Sequence, residues 1–226
     1  MAVIHHTSLK PTKLELLSAW LPSRPWYRGG ADAPQLAKAG GFRLDDPQGE
    51  VGIEFMVVTD ASGPRPIAYL VPLAYRGAPL AGAEHALVGI MEHGVLGRRW
   101  AYDACHDPVV AAQLLALIEG RVKAQDQNTS DTPDQDVTRS YTGEGSLSTD
   151  LAGKATDDEQ GTEMPAPDGL TLRLHRALQP APDGQSLPPQ GTTGHVAGAW
   201  SLPDGTRAGG LFATLHTDDR AERPTA

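Results

Sequence analysis

The chain has 226 residues, a length that suits one large domain or two small ones. Hydrophobic residues make up 39%, and 25 glycines and 19 prolines indicate a compact part with much loop. The net charge of −9 argues against nucleic acid or an anionic membrane surface as a partner, because like charges repel. The one cysteine excludes an internal disulfide framework. We see neither a signal-peptide pattern nor an apolar run of about 20 residues, so we expect a cytoplasmic protein.

The first predicted helix has a clear start and a clear stop. Thr12 and Glu15 form a capping-box pattern, apolar residues follow at helical spacing, and Pro22 ends the helix. The sequence also predicts a shorter helix from Pro34 to Ala39, ended by the Gly40-Gly41 pair.

A third predicted helix begins at Asp107, a capping residue, with Pro108 in the first turn, and ends near Gly120. Between the helices, apolar residues alternate with other residues at the period of a strand. The predicted strands and hairpins cover residues 51–58, 67–73, 94–102, 170–178, 195–200 and 210–216, with the last two joined by a Pro-Asp-Gly turn.

Composition divides the chain into four zones. We expect a domain over 1–124, a polar linker over 125–165 with too little apolar surface to order itself, a β-rich segment over 166–217, and a charged tail over 218–226. No strand–helix–strand rhythm occurs, so the sheets should be antiparallel. The predicted class is α+β: antiparallel sheet flanked by a few helices, with an irregular linker and a C-terminal β-hairpin region.

Three adjacent residues, Trp26, Tyr27 and Arg28, are candidates for binding a sugar or a partner. The aromatic rings could stack on a sugar while the arginine bonds its hydroxyls. The alternative, which we favour, is that both rings anchor the first helix to the sheet, because aromatic residues bury large areas wherever they occur.

The densest polar cluster lies directly before the third predicted helix. Asp103, His106 and Asp107 could offer metal ligands, but their spacing fits no zinc or calcium pattern, and Asp107 is better explained as a helix cap. His85 and His93 flank a glycine-containing segment and could pair, yet no third ligand accompanies them. We therefore assign no metal site.

The sequence also contains no recognisable catalytic motif. Cys105 has no general base fixed by sequence, and there is no phosphate-binding glycine loop or nucleophile elbow. We assign no catalytic residue and no cofactor.

Residues 14–30 resemble the signature of the maltokinase N-terminal cap domain. In that family a helix ending in Trp-Leu-Pro is followed by an aromatic pair and a glycine-rich basic turn. The matching positions here are Trp20, Leu21, Pro22, Trp26 and Gly29. Pro25 stands where the family usually has arginine, and the basic turn is reduced to Arg28-Gly29-Gly30.

Two later segments extend the resemblance over roughly the first 110 residues. The run Tyr69 to Tyr75 is similar to the family's Tyr-x-Val-Pro-Leu-x-Tyr strand, and Tyr102 to Pro108 is similar to its Tyr-Asp-Ala-x-His-Asp-Pro turn. Further on, residues 172–176 are similar to the kinase N-lobe strand that holds a phosphate-contacting lysine. Arg173 stands at that position and is the one nucleotide-binding candidate, although its planar fork is a poor substitute for a point charge.

The resemblance implies a role in α-glucan metabolism. Maltokinases make maltose 1-phosphate from maltose and ATP, on a route linking trehalose to glycogen, and the cap carries no chemistry there. The kinase C-lobe pattern, with its base and magnesium ligands, does not occur in this sequence. The first hypothesis is a non-catalytic interaction or regulatory module with a protein partner. The alternatives are an ATP-binding component of a sugar kinase for malto- or amino-sugars, a glucan-acting, branching-associated protein, and a binder of a sugar ligand.

Overall fold

A computed structural model describes residues 8–30, 32–148, 153–181 and 188–217 of the chain. The predicted tail, 218–226, lies outside the described residues. Within the described residues the protein is mostly antiparallel sheet with two α-helices, which confirms the expected sheet-rich architecture. None of the helices in these ranges has the length and apolar character needed to cross a membrane.

The two α-helices begin and end where their capping residues predict. Helix α1 covers Lys13–Trp20, and the side chains and backbones of Thr12 and Glu15 cap each other reciprocally. A 3-10 turn over Leu21–Ser23 follows it. Helix α2 covers Pro108–Glu119, is capped by Asp107, and ends at Gly120, whose φ of 84° is left-handed.

Thirteen strands among the described residues form one connected sheet. Their bounds are β1 Leu9–Lys10, β2 Leu36–Leu44, β3 Gly52–Asp60, β4 Ile67–Arg76, β5 Leu87–His93, β6 Gly97–Asp103, β7 Thr138–Tyr141, β8 Thr156–Asp157, β9 Gly161–Ala166, β10 Leu170–His175, β11 Ala177–Leu178, β12 Thr192–Ser201 and β13 Arg207–Thr217. The order along the sheet is β1-β5-β6-β4-β3-β2-β12-β13-β10-β9-β8, while β11 pairs with β4 and β7 pairs with β12. All of these pairs are antiparallel.

Two sequence predictions about elements are wrong. The segment Pro34 to Ala39 does not form a helix; Leu36 onward is the start of β2, which pairs with the buried strand β3. Helix propensity is a weak preference that tertiary pairing overrides. The strand expected over 94–102 begins only at Gly97, because residues 94–96 form the turn of a hairpin whose first strand, β5, the sequence analysis missed.

The segment expected to be a linker contributes to the sheet. Strands β7 and β8 lie within residues 125–165, and β9 begins there. Strand β7 pairs with β12 and packs beside α2. The division of the chain into domains stays a prediction, but these strands are part of the described sheet.

The first half of the sheet is buried on both faces. On one face α1 packs on a core that includes Met56, Val58 and Tyr69. On the other face α2 packs on a larger core that also contains side chains of β10, β12 and β13. Strands β3 and β4 are therefore covered from both sides, which explains why nearly every residue in them is buried.

A buried carboxylate ties α1 to the sheet. Glu54 of β3 accepts hydrogen bonds from Lys13 Nζ at 2.5 Å and from the Tyr75 hydroxyl at 2.7 Å. These bonds hold the start of α1 against strands β3 and β4.

Candidate functional site around Arg176

The loop after α1 carries the first group of candidate residues and places Trp26 inside the protein. The Trp26 ring is 0% exposed, makes an edge contact with Trp20 at 5.7 Å, and lies 6.0 Å from the ring of Tyr69. A sugar cannot stack on Trp26 unless this loop rearranges. The observed packing is the one expected of an aromatic anchor.

Tyr27 is partly buried and belongs to a hydrogen-bonded turn rather than an open platform. Its hydroxyl donates to Asp60 at 2.7 Å, and its ring lies 5.6 Å from that of Tyr69. Burial, together with the hydrogen bond to Asp60, raises the pKa of Tyr27 to about 12. Asp60 also accepts the backbone N–H groups of Gln35 and Ser62, both at 2.9 Å. Burial opposes its ionisation, but these bonds outweigh burial and hold the pKa of Asp60 below its ordinary value.

Arg28 is the member of this group that remains accessible. Its backbone N–H donates to the Tyr69 hydroxyl at 2.9 Å, while its guanidinium is exposed and reaches the carbonyl of Glu159 at 3.4 Å. Of the three predicted binding residues, Arg28 is thus the one whose functional group faces solvent.

Arg176 is the largest fully buried charged side chain among the described residues, and it is not among the site residues predicted from the sequence. Its Nη2 donates to both carboxylate oxygens of Asp103, at 2.8 and 2.6 Å, and its Nε donates to Thr162 at 2.7 Å. The guanidinium also lies over the Trp26 ring, 4.8 Å from its centroid. The side chains of Arg176 and Asp103 are 0% and 1% exposed.

The charges at this position are fixed by their surroundings. Burial disfavours the charged form of Arg176, but the Asp103 carboxylate outweighs it and holds the pKa above the ordinary value. Nη2 also contacts the sulfur of Cys105 at 3.3 Å, and burial raises the pKa of that thiol. The thiolate is therefore strongly disfavoured, and Cys105 is a poor nucleophile.

The polar cluster considered for metal binding is divided among other roles. Asp103 pairs with Arg176. Asp107 accepts the Val109 N–H at 3.0 Å as a helix cap and binds Arg76 through both oxygens, at 2.6 and 2.9 Å. In the described ranges, no group of three or more His, Cys, Asp or Glu side chains is placed to hold a metal ion.

The sequence suggested a pairing of His85 with His93, but in the structure His85 lies next to His106. His106 Nδ1 lies 3.2 Å from His85 Nε2. His93 instead accepts the N–H groups of Val95 and Leu96 in the hairpin turn, at 3.2 and 3.1 Å. Burial lowers the pKa of His106, with the Asp103 carboxylate opposing the shift.

Arg173, the nucleotide-binding candidate, lies on β10 with its charge already compensated. Its Nη2 binds Asp158 at 2.8 Å and its Nη1 binds Glu163 at 2.5 Å. The side chain is 15% exposed. A phosphate would therefore have to compete with two carboxylates for this guanidinium.

The sequence did contain one signal for Arg176. Leu172 and Leu174 alternate along β10, and Arg176 occupies the next position of the same apolar series. A charged residue in that phase is expected to face the core and therefore to need a partner. Its partner, Asp103, lies 73 residues earlier in the chain and could not be located from periodicity.

The three motif segments come together around strand β4. The loop of Trp26 packs on Tyr69, Arg76 at the end of β4 holds Asp107, and Arg176 joins Trp26 to Asp103. This arrangement defines a sheet-based module whose motif residues form internal contacts. Residues 20–107 match the maltokinase N-terminal cap domain family, which confirms the resemblance for that part of the chain. The matched part of the chain contains strands β2 to β6 and the Trp26 loop. No curated protein matches the chain.

Proposed function

We propose that this chain is a non-catalytic cap-type module that binds a protein partner of α-glucan metabolism, in the cytoplasmic context of glycogen and trehalose. The family match over residues 20–107 supports the metabolic setting. The observation that carries the interaction role is an exposed apolar surface on the hairpin formed by β5 and β6.

The hairpin surface consists of Ile90, Val95 and Leu96, which are 43%, 61% and 44% exposed. They are the large hydrophobic side chains most open to solvent among the described residues, and all three lie inside the matched cap region. Several exposed apolar side chains on one hairpin are typical of a surface that contacts another protein.

Charge indicates what kind of surface the hairpin fits. Arg98 is 63% exposed and pairs with Glu92 at 3.0 Å, and Arg99 beside it adds a second positive charge to the hairpin. In a chain of net charge −9 this is a locally basic edge. The complementary partner is a protein surface with an apolar centre and an acidic rim.

The packing of Arg173 weighs against the alternative, an ATP-binding kinase component. The two carboxylates on its guanidinium occupy the donors that a phosphate would need. A phosphate at this position would have to displace both carboxylates from a side chain that is only 15% exposed.

The test is site-specific photocrosslinking in cells, with the probe at the exposed position Ile90 in every protein compared, together with co-purification. We compare the native chain with Val95→Asp/Leu96→Asp and with a control that adds two charges elsewhere on the surface, Gln48→Asp/Ser146→Asp. The native chain and the control should capture the same enzyme of α-glucan metabolism, and the hairpin variant should lose it. Retention by the hairpin variant contradicts the binding surface, and a captured partner from unrelated metabolism contradicts the assigned setting.

A further inference from the structure

Two histidines from separate 3-10 turns meet at the surface of the cap region. His85 lies in the turn Glu84–Ala86, and His106 lies in the turn Ala104–His106 that leads into α2. The ring nitrogens His85 Nε2 and His106 Nδ1 are 3.2 Å apart, and the ring planes are nearly perpendicular, at 87°.

This hydrogen-bond separation is close to the distance between two ligands of one tetrahedral metal ion. Two imidazole nitrogens bound at about 2.0–2.1 Å to a tetrahedral ion lie about 3.3 Å apart. We propose that His85 and His106 form a two-histidine site for a divalent transition-metal ion of the Zn²⁺ or Cu²⁺ class. Imidazole is a preferred ligand for these ions.

The two histidines differ in their access to solvent. His85 is exposed, so an ion can approach from solvent, whereas His106 is half-buried and held between Cys105 and the helix cap Asp107. Asp157, which accepts a hydrogen bond from Thr162 at 2.5 Å, lies close enough for its negative charge to act on His106. The carboxylates of Asp103 and Asp157 favour a bound cation near His106, and the Arg176 guanidinium opposes it.

Binding requires a change of tautomer and a rotation of the rings that turns both inner nitrogens toward the ion. In the structure one ring donates an N–H to the other ring. When the ion binds, the donating ring carries its proton on the outer nitrogen instead, so that both inner nitrogens present lone pairs and both rings stay neutral. Water fills the remaining coordination positions, so affinity should be lower than at a four-ligand structural zinc site.

The test uses the full chain and two probe ions. Because His5 and His6 are adjacent in the sequence and could also chelate a metal, the reference protein carries His5→Gln and His6→Gln. Zn²⁺ binding is measured by titration calorimetry, and the Cu²⁺ ligands are identified by electron paramagnetic resonance. The test variants are His85→Gln and His106→Gln, and the matched control is His195→Gln, on β12.

We expect one ion per chain and a Cu²⁺ spectrum with two nitrogen ligands in the reference protein and the control. Each test variant should weaken binding by at least about tenfold, the lower end of what loss of even an outer-shell partner costs. Binding by the reference protein that neither test variant weakens, or no binding at all, overturns the proposal. If His106→Gln alters the thermal melt, the exposed His85→Gln variant decides the result.

Discussion

Arg176 is the single residue between strands β10 and β11. The preceding residue ends β10, which pairs with β9 and β13, and the following residue begins β11, which pairs with β4. Its backbone carbonyl accepts the Leu70 N–H at 2.9 Å, so both the main chain and the side chain connect to the cap region. A buried charge is costly when its partner is missing. The pair with Asp103 therefore holds the junction between β10 and β11 against the cap region.

Breaking one side of the Arg176–Asp103 pair should be strongly destabilising. We expect Asp103→Asn or Arg176→Met to lower the free energy of unfolding by about 3–5 kcal/mol, because each leaves one buried group without its partner. The double variant Asp103→Leu/Arg176→Met should lose less than the two single losses combined. The measurement is urea unfolding of all three variants.

The control for that experiment is an exposed ion pair. Arg98 and Glu92 are 63% and 59% exposed, so Arg98→Met should cost at most about 1 kcal/mol. If the single variants at Asp103 and Arg176 cost no more than this control, the buried pair is not important for stability.

At the scale of elements, local signals were readable and pairing signals were not. The capping residues Thr12 and Asp107 predicted both α-helices because a cap acts within one turn of its own helix. The identity of β2 depends on hydrogen bonds to β3, and the sequence around Gly40 shows only weak local preferences. The turn over residues 94–96 contains two apolar residues, Val95 and Leu96, which resemble a continuation of the strand in the sequence. The left-handed φ of 69° at Gly97 ends this turn.

The two helix caps should differ in their contribution to stability. Thr12 is exposed, so Thr12→Ala should cost about 0.5–2 kcal/mol, the range for losing a cap alone. Asp107 is 0% exposed and also holds Arg76, so Asp107→Ala should cost clearly more than Thr12→Ala. Thermal or urea unfolding of the two variants measures the difference. Equal losses would show that the Arg76 contact adds nothing to the cap.

At the scale of the whole molecule, the cap region does not contain all of its own core. The core beneath α2 includes Phe42 and Leu70 from the cap region and Leu172, Trp200 and Phe212 from the later strands. Composition placed a boundary near residue 124 because the polar residues that follow cannot form a core by themselves. It could not show that strands on the far side of that stretch return to the same core.

A fragment of residues 1–124 tests how far the cap region depends on the later strands. We expect the fragment to unfold less cooperatively and at lower temperature than the full chain, because it lacks β11 on β4 and exposes the side chains that face β10, β12 and β13. Calorimetry of the fragment and the full chain makes the comparison. A cooperative transition at the same midpoint would show that residues 1–124 are an independent domain.

Phosphoryl transfer is the activity that most directly separates a cap-type module from a kinase. It needs a cation on the phosphates, carboxylates holding magnesium, and a base for the acceptor hydroxyl. Among the described residues the candidate cation Arg173 is held by Asp158 and Glu163. The net charge of −9 also opposes the approach of ATP.

We therefore expect the purified chain, incubated with ATP, magnesium and maltose, to form no maltose 1-phosphate. The same mixture with Arg173→Ala is the matched control, since that change removes the one cation proposed for nucleotide binding. Repeated turnover by the native chain that disappears in Arg173→Ala would contradict the non-catalytic proposal and indicate a minimal kinase. Product that forms only when a co-purifying protein is added would place catalysis on that second chain. The pairing of Arg173 with Asp158 and Glu163 is consistent with that outcome, because it keeps the guanidinium of this chain from binding the phosphates of ATP.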